Sequence, residues 1–348
     1  MPALKLTVQV ERLEFSAPFR IAGFLFEHQD AVVVTLDDGR HRGRGEACGV
    51  YYLDDNVEQM VAALEGQRAT IESGIDRASV QQLLPAGGAR NALDCALWEL
   101  DSWRTGQPVW KLAGLDPPQP LVTTFTLGAE DPPVMAAGAR KFAAAQALKV
   151  KLTGELELDI SRVKAVRQAR PDVWLGVDAN QGYTLGGLGP LVDALTEAKV
   201  GQLEQPLARG HDAELDHFDS PIPLVADESV LCLADLPGLT ERFDRINIKL
   251  DKCGGLTEGL SMVREARRLG FGVMVGNMMG SSLAMAPSFI VGQLCDVVDL
   301  DGPTFLSRDR VPGVTYSEGM IWVDEVVWGR VPLSPGTRAS PVSGSRSR

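Results

Sequence analysis

Two lysines, Lys149 and Lys151, stand one residue apart in an otherwise apolar run, Leu148-Lys149-Val150-Lys151-Leu152. The run reads as a short buried strand. Side chains of a strand alternate between its faces, so both ammonium groups point the same way. Two buried cations on one face require anions or a polar cavity opposite them. Later segments supply the anions at their ends: Asp178 in Val177-Asp178-Ala179-Asn180, Glu204 in Leu203-Glu204-Gln205-Pro206, Asp227 in Ala226-Asp227-Glu228-Ser229, then Asp299 and Asp301. A further lysine, Lys249, ends Asn247-Ile248-Lys249. Three carboxylates on consecutive strands make an oxygen cage suited to Mg2+, a hard ion that prefers oxygen ligands. A lysine near a metal and other cations has a depressed pKa and serves as a base. The metal would stabilise the enediolate formed when a proton α to a carboxylate leaves. Two opposed bases imply that one removes this proton and the other returns it on the far face. The alternative for the lysines is that they only bind a phosphate or carboxylate. Nothing has the spacing of a Cys/His zinc site, and no Gly-x-Ser-x-Gly is present.

The elements that must position these groups fall into two sets. Residues 3–15, 29–36 and 42–50 carry strand patterns, the last two flanking the Asp37-Asp38-Gly39 turn as a hairpin. Helical spacing follows over roughly 55–74, 77–84, 88–105 and 108–115, and a proline-rich linker, Asp116–Pro120, closes the set. Beyond it, eight strand patterns alternate with seven helical ones. The strands cover 122–127, 147–152, 173–178, 201–204, 222–226, 245–250, 272–276 and 297–301, and weak or short helices are expected at 211–218 and 232–239. Eight α/β repeats favour a closed barrel over an open sheet, and no Gly-x-Gly-x-x-Gly follows the first strand. The fold expected is α/β, a modified TIM barrel (β/α)7β with an N-terminal α+β capping domain. Its boundaries are 1–117 for the cap and 118–308 for the barrel. A segment at 309–330, with a strand over Trp322–Trp328, returns to the cap, and 331–348 has the composition of a disordered tail. In such a barrel the active-site groups sit at the C-terminal ends of the strands, where the lysines and carboxylates fall.

Composition narrows the function. The chain has 348 residues, 45% hydrophobic content and a formal charge of −12, so nucleic acid is not the expected partner. No apolar run approaches the ~18 residues of a membrane span, and no signal peptide is read at the N-terminus. The five scattered cysteines fit free thiols in a reducing, cytoplasmic compartment. A small-molecule substrate is expected; a homo-oligomer is compatible with the sequence.

The motifs Lys149-Val150-Lys151, Val177-Asp178-Ala179-Asn180, Glu204-Gln205-Pro206, Asp227-Glu228-Ser229 and Asn247-Ile248-Lys249 resemble the enolase superfamily in its muconate-lactonising-like subgroup. The similarity runs over most of residues 3–328. It implies one Mg2+ per subunit on Asp178, Glu204 and Asp227, with Lys151 and Lys249 as opposed acid/bases and Lys149 as an electrostatic aid. Lys252 is a rival to Lys249 but lies past the strand end. Asp299-Leu300-Asp301-Gly302-Pro303, the Asn247–Gly255 run and the Leu84–Asp94 run resemble dipeptide epimerases of the L-Ala-D/L-Glu type, whose Asp-x-Asp meets the substrate's α-ammonium. The implied reaction inverts the α-carbon of the C-terminal residue of an L,L-dipeptide. The substrate-binding set expected is Asp299, Asp301, Thr124, Phe24, Phe26, Tyr52, Asn277 and Met279. Where Ala-Glu enzymes carry an arginine, this chain reads Gly23-Phe24-Leu25-Phe26-Glu27-His28, with Arg20 nearby. A hydrophobic or otherwise non-acidic side chain is therefore expected, although Asp54 and Asp55 in the second loop leave room for a cationic one. The rivals are an N-acylamino acid racemase, an o-succinylbenzoate synthase or a cycloisomerase on the same scaffold, and a non-catalytic binding barrel. N-acyl substrates have no ammonium to meet Asp299 and Asp301, which weighs against the first group.

Overall fold

A computed structural model describes residues 3–329. The expected tail at 331–348 lies outside the described residues. The cap opens with an antiparallel sheet of β1 (Lys5–Ile21), β2 (Phe24–Asp37) and β3 (Arg42–Ala47). β1 and β2 pair from Lys5↔Asp37 to Glu14↔His28, slip, then resume from Phe19↔Phe26 to Ile21↔Phe24. The segment expected as a loop at 23–28 is therefore mostly strand. Gly23, with φ of 73°, takes the left-handed turn position, and Phe24-Leu25-Phe26 has the aromatic content that strands favour. Helices Val57–Gly66, Arg68–Glu72, Arg77–Leu83 and Gly88–Thr105 cover this sheet, the last of them almost wholly buried.

β4 (Leu121–Val122) precedes the barrel strands β5 (Thr124–Leu127), β6 (Ala147–Lys151), β7 (Trp174–Asp178), β8 (Gln202–Glu204), β9 (Leu224–Ala226), β10 (Arg245–Ile248), β11 (Gly272–Val275) and β12 (Val297–Val298). These eight form one parallel sheet in sequence order, curled into a nearly closed barrel. Helices of 10 to 14 residues follow β5, β6, β7, β10 and β11. After β8 and β9 the weak helix expected at 211–218 and the short one at 232–239 are 3-10 turns, Asp212–Leu215 and Leu233–Leu239. Pro237 within the second lacks the amide an α-helix needs.

β12 and β5 share no backbone ladder among the described residues. Side chains close the seam instead. Thr123 Oγ1 accepts from Leu300 N at 2.9 Å, Thr124 Oγ1 donates to Asp299 Oδ1, and Thr126 N donates to Asp301 Oδ2 at 2.6 Å.

The cap is fixed to the barrel by buried polar contacts. Glu46 on β3, 1% exposed, accepts from Ser281 N and Oγ and from Arg310 Nε and Nη2. Asp251 accepts from Cys48 N and Gly49 N at 2.7 and 3.1 Å. Arg90 reaches the carbonyls of Cys253 and Gly254 and the Glu258 carboxylate.

The closing segment differs from its expected single strand at 322–328. It forms a hairpin, β13 (Thr315–Ser317) and β14 (Met320–Trp322), and β14 pairs with β4. The segment meets the cap on both sides of this hairpin, through Arg310 to Glu11 and Glu46 before it, and after it through Trp328 Nε1 to Arg44 O at 2.9 Å and Gly329 N to Glu99 Oε1 at 3.1 Å.

Candidate active site

The parallel register sets the site. Lys151 pairs with Asp178, and Asp178 with Glu204, across three neighbouring strands. Asp227 follows β9 directly, so the three carboxylates stand side by side at the strands' C-terminal ends. Their oxygens lie within 4.8 Å of one another, and all three residues are buried. Burial together with Asp178 pushes the Glu204 carboxyl up to about 7. Glu204 Oε2 has no aligned hydrogen-bond donor, although Lys149 Nζ lies 2.8 Å away. Burial would raise Asp227 too, but Lys249 and Lys252 outweigh it and hold that carboxyl well below the usual range. Crowded, desolvated carboxylate oxygens fit a divalent cation of the Mg2+ type, which favours hard oxygen donors.

The lysines flank this triad. Lys151 Nζ donates to Asp178 Oδ2 at 2.6 Å, and Lys249 Nζ to Asp227 Oδ2 at 2.7 Å. Their strands, β6 and β10, are four apart in the eight-stranded order, with the three carboxylate strands between them. Lys149 stands deeper, with Nζ 2.8 Å from Asp299 Oδ2, 2.8 Å from Glu204 Oε2 and 3.2 Å from Asp178 Oδ2. Burial alone would lower both Lys149 and Lys249, yet the neighbouring carboxylates win and raise both. Lys252 Nζ is held by Asp227 Oδ1, Asp227 O and Asn247 O, away from the cavity wall. Gly276 gives Lys249 room: a Cβ there would meet Asn247 at 2.8 Å and Lys249 Cε at 3.0 Å.

A cavity opens over these groups. Lys149, Lys151, Lys249, Asn180, Asn277, Met279, Asp299 and Asp301 line it. Thr124 meets it only through Asp299, and Asn277 Nδ2 donates to Asp299 O at 2.7 Å. Phe24, Phe26 and Tyr52 are not on the wall. Tyr51 is, and Phe24 and Phe26 pack on its ring at centroid distances of 4.7 and 5.4 Å. The 3-10 turn Tyr51–Leu53 decides which tyrosine faces inward. Tyr52 packs with Leu13 and Val50, and Asp55 is used by Gly88 N at 2.7 Å. Sequence reasoning also missed the wall residues Phe19, Ile21, Gln29 and Met278. The first two alternate on β1, a signal visible in Pro18-Phe19-Arg20-Ile21 once that strand is extended past residue 15. Arg20, on β1 opposite Leu25, is exposed and lies 3.7 Å from Glu130.

A barrel with a β-rich cap, a carboxylate triad and lysines on both sides defines an α/β isomerase of the racemase and epimerase kind. Residues 134–325 match the family model for enolase C-terminal domain-like proteins, and residues 4–114 match the mandelate racemase / muconate lactonizing enzyme N-terminal domain. The chain belongs to the enolase superfamily, in its mandelate racemase / muconate lactonizing branch. It is 38% identical over 317 residues to the L-Ala-D/L-Glu epimerase of Escherichia coli, covering 90% of this chain and 98% of that one. It is 36% identical over 305 residues to the N-acetyl-D-glutamate racemase of a Pseudoalteromonas species, covering 86% and 95%. An enolase family member from Agrobacterium tumefaciens with homology to dipeptide epimerases, solved with sodium and L-Ala-L-Glu, superposes with a TM-score of 0.89 at 38% identity, covering 93% and 99%.

Proposed function

We propose that this protein is a Mg2+-dependent dipeptide epimerase acting by two-base 1,1-proton transfer. One observation carries the reading: Lys151 and Lys249 stand on strands four apart, face one cavity, and have Asp178, Glu204 and Asp227 between them. The substrate's C-terminal carboxylate would lie over the triad, with its α-carbon between the two ammonium groups. Asp178, Glu204 and Asp227 would hold Mg2+, which would supply charge stabilisation to that carboxylate. Lys151 takes the proton from one face, and Lys249 delivers one to the opposite face. The roles reverse for the other epimer. Each lysine needs its neutral form to act as base.

Charge supports the choice of substrate. The ammonium of a dipeptide would meet buried acids of the wall, Asp299 and Asp301, whereas a glutamyl side chain would bring a further carboxylate into the same buried site. The wall near Tyr51 offers Phe19, Ile21, Met278 and Phe305, and no arginine. We therefore assign a hydrophobic or otherwise uncharged residue at the epimerised position.

A second reading, racemisation of an N-acylamino acid, is favoured by the similarity to an N-acetylglutamate racemase. It leaves Asp301 without a cation. The test is α-proton exchange in D2O with Mg2+ over a panel of L,L-dipeptides and N-acyl amino acids. Fast exchange with dipeptides of apolar C-terminal residues is expected, lost in Lys151→Ala and Lys249→Ala. Turnover of Xaa-Glu alone would refute the side-chain assignment. Full activity in both lysine variants would refute the two-base mechanism. No exchange with any carboxylate would leave a binding protein.

A further inference from the structure

The turn that follows Lys151 is gripped from behind by a buried ion pair, Asp159 and Arg162, that forms no part of the cavity wall. Asp159 lies in the first turn of the helix Leu156–Ala169 and is fully buried. Its carboxylate accepts from Thr153 N at 3.1 Å, Gly154 N at 2.9 Å, Tyr183 Oη at 2.7 Å and Arg162 Nη1 at 2.7 Å. Thr153 and Gly154 carry the chain out of β6, and Tyr183 ends the stretch that carries it out of β7 past Asp178 and Asn180. The two exits meet backbone to backbone, because a Cβ on Gly154, whose φ is 93°, would collide with Gly182 O. Arg162, also buried, donates to Thr153 Oγ1 at 2.7 Å and to Glu130 O, beyond β5, at 2.8 Å. The exits of β5, β6 and β7 therefore hang on one carboxylate and one guanidinium. The Lys249 side is held differently. There the chain passes directly into the short helix Leu250–Cys253, and Asp251 grips the cap amides of Cys48 and Gly49.

Stability alone does not account for the pair. The attraction within a buried ion pair is offset by its desolvation, and it adds little over apolar groups of the same volume. What it supplies is direction, since charged donors and acceptors with fixed partners allow the turn one arrangement. Lys151 is the last residue of the strand this turn closes, and Leu152 N, next in the chain, donates to Asp178 O at 2.9 Å. A shift of the turn is thus a shift of the lysine against Asp178. We propose that Asp159 and Arg162 are positioning residues for Lys151, setting the reach of its ammonium to the substrate's α-carbon without touching the substrate. The proposal rests on the two-base reading above.

The experiment follows α-proton exchange in D2O with Mg2+, starting from each of the two epimers of one dipeptide. Lys151→Ala and Lys249→Ala serve as references. Each should silence exchange in the epimer whose proton faces the missing lysine and leave the other epimer exchanging with retention. Asp159→Asn is expected to copy Lys151→Ala in reduced form. Exchange from the Lys151-facing epimer, and inversion in both directions, should fall by about tenfold to a hundredfold, the scale of a displacement of roughly 1 Å. Exchange with retention from the Lys249-facing epimer should stay within about threefold of wild type. Asp159→Asn strands the Arg162 charge, so the double variant Asp159→Asn/Arg162→Met is measured beside it. The double variant leaves neither ion unpaired and should show the same one-sided loss. Tyr183→Phe keeps the ring, removes one donor to Asp159, and should show that loss at about threefold. A merely structural role lowers the amount of folded protein and scales both epimers alike. Equal loss from both epimers, or no loss in the folded variants, would therefore overturn the proposal. If the two reference variants do not silence opposite epimers, the two-base reading falls and takes the proposal with it.

Discussion

Gly276→Ala tests the opposed-lysine geometry without touching either lysine. An added Cβ would lie 2.8 and 2.9 Å from the Asn247 amide atoms and 3.0 Å from Lys249 Cε. Carbon atoms in ordinary contact sit about 3.5–4.0 Å apart, so the Lys249 side chain must move by roughly 0.5–1 Å. A displacement of about 1 Å at a reacting group costs on the order of a hundredfold in rate. Overpacking of this kind also destabilises by about 1–3 kcal/mol, which leaves a folded protein to assay. Lys151, four strands away, feels nothing directly. Proton exchange on the Lys151 face should therefore stay within about threefold of wild type, while inversion falls by about tenfold to a hundredfold. NMR in D2O reads both from one epimer, since deuterium incorporated with retention reports Lys151 and the opposite epimer reports Lys249. Equal loss of exchange and inversion, or loss of neither, would refute the assignment of Lys249 to one face.

Three further outcomes follow from the same geometry. Glu46→Gln removes the buried charge under Ser281 and Arg310; because Arg310 is partly exposed and keeps Glu11, urea unfolding should show a loss of about 2–3 kcal/mol, below the 3–5 kcal/mol of a fully buried pair. Glu204 holds its proton up to about 7, so protons and Mg2+ compete for it: calorimetric Mg2+ affinity should fall as pH drops from 8 to 6, by up to about tenfold per unit, and an affinity flat over that range would contradict the ligand assignment. Phe26→Arg places a cation beside Tyr51, and kcat/KM for Xaa-Glu relative to Xaa-Leu dipeptides should rise by about tenfold, the scale of one charge-assisted contact.

The sequence was most legible where regular geometry leaves few options. Strand alternation put Lys149 and Lys151 on one face, and the parallel register then fixed Lys151, Asp178 and Glu204 as neighbours. The hairpin at Gly23 was less legible, because a two-residue turn and a longer loop share the same glycine signal. Tyr51 and Tyr52 are indistinguishable in sequence, and only a single 3-10 turn points one of them into the cavity. Which carboxylates stand within 3 Å or so of each lysine Nζ was not legible, because distances of that kind arise only when separate strands meet.

The seam between β12 and β5 gives the barrel a latch made of the groups that would grip the substrate. Elsewhere neighbouring strands hold one another through their backbones. Here Thr124 and Thr126 reach Asp299 and Asp301 instead, and Thr123 takes the Leu300 amide. A cation bound at Asp301 would share that carboxylate with the Thr126 amide and would stiffen the joint it sits on. Such a ligand would act as a clasp as well. Its affinity and the closure of the hoop belong to one equilibrium, and the amide of Thr126, slow to exchange when the clasp is shut and faster when it is open, reads both at once.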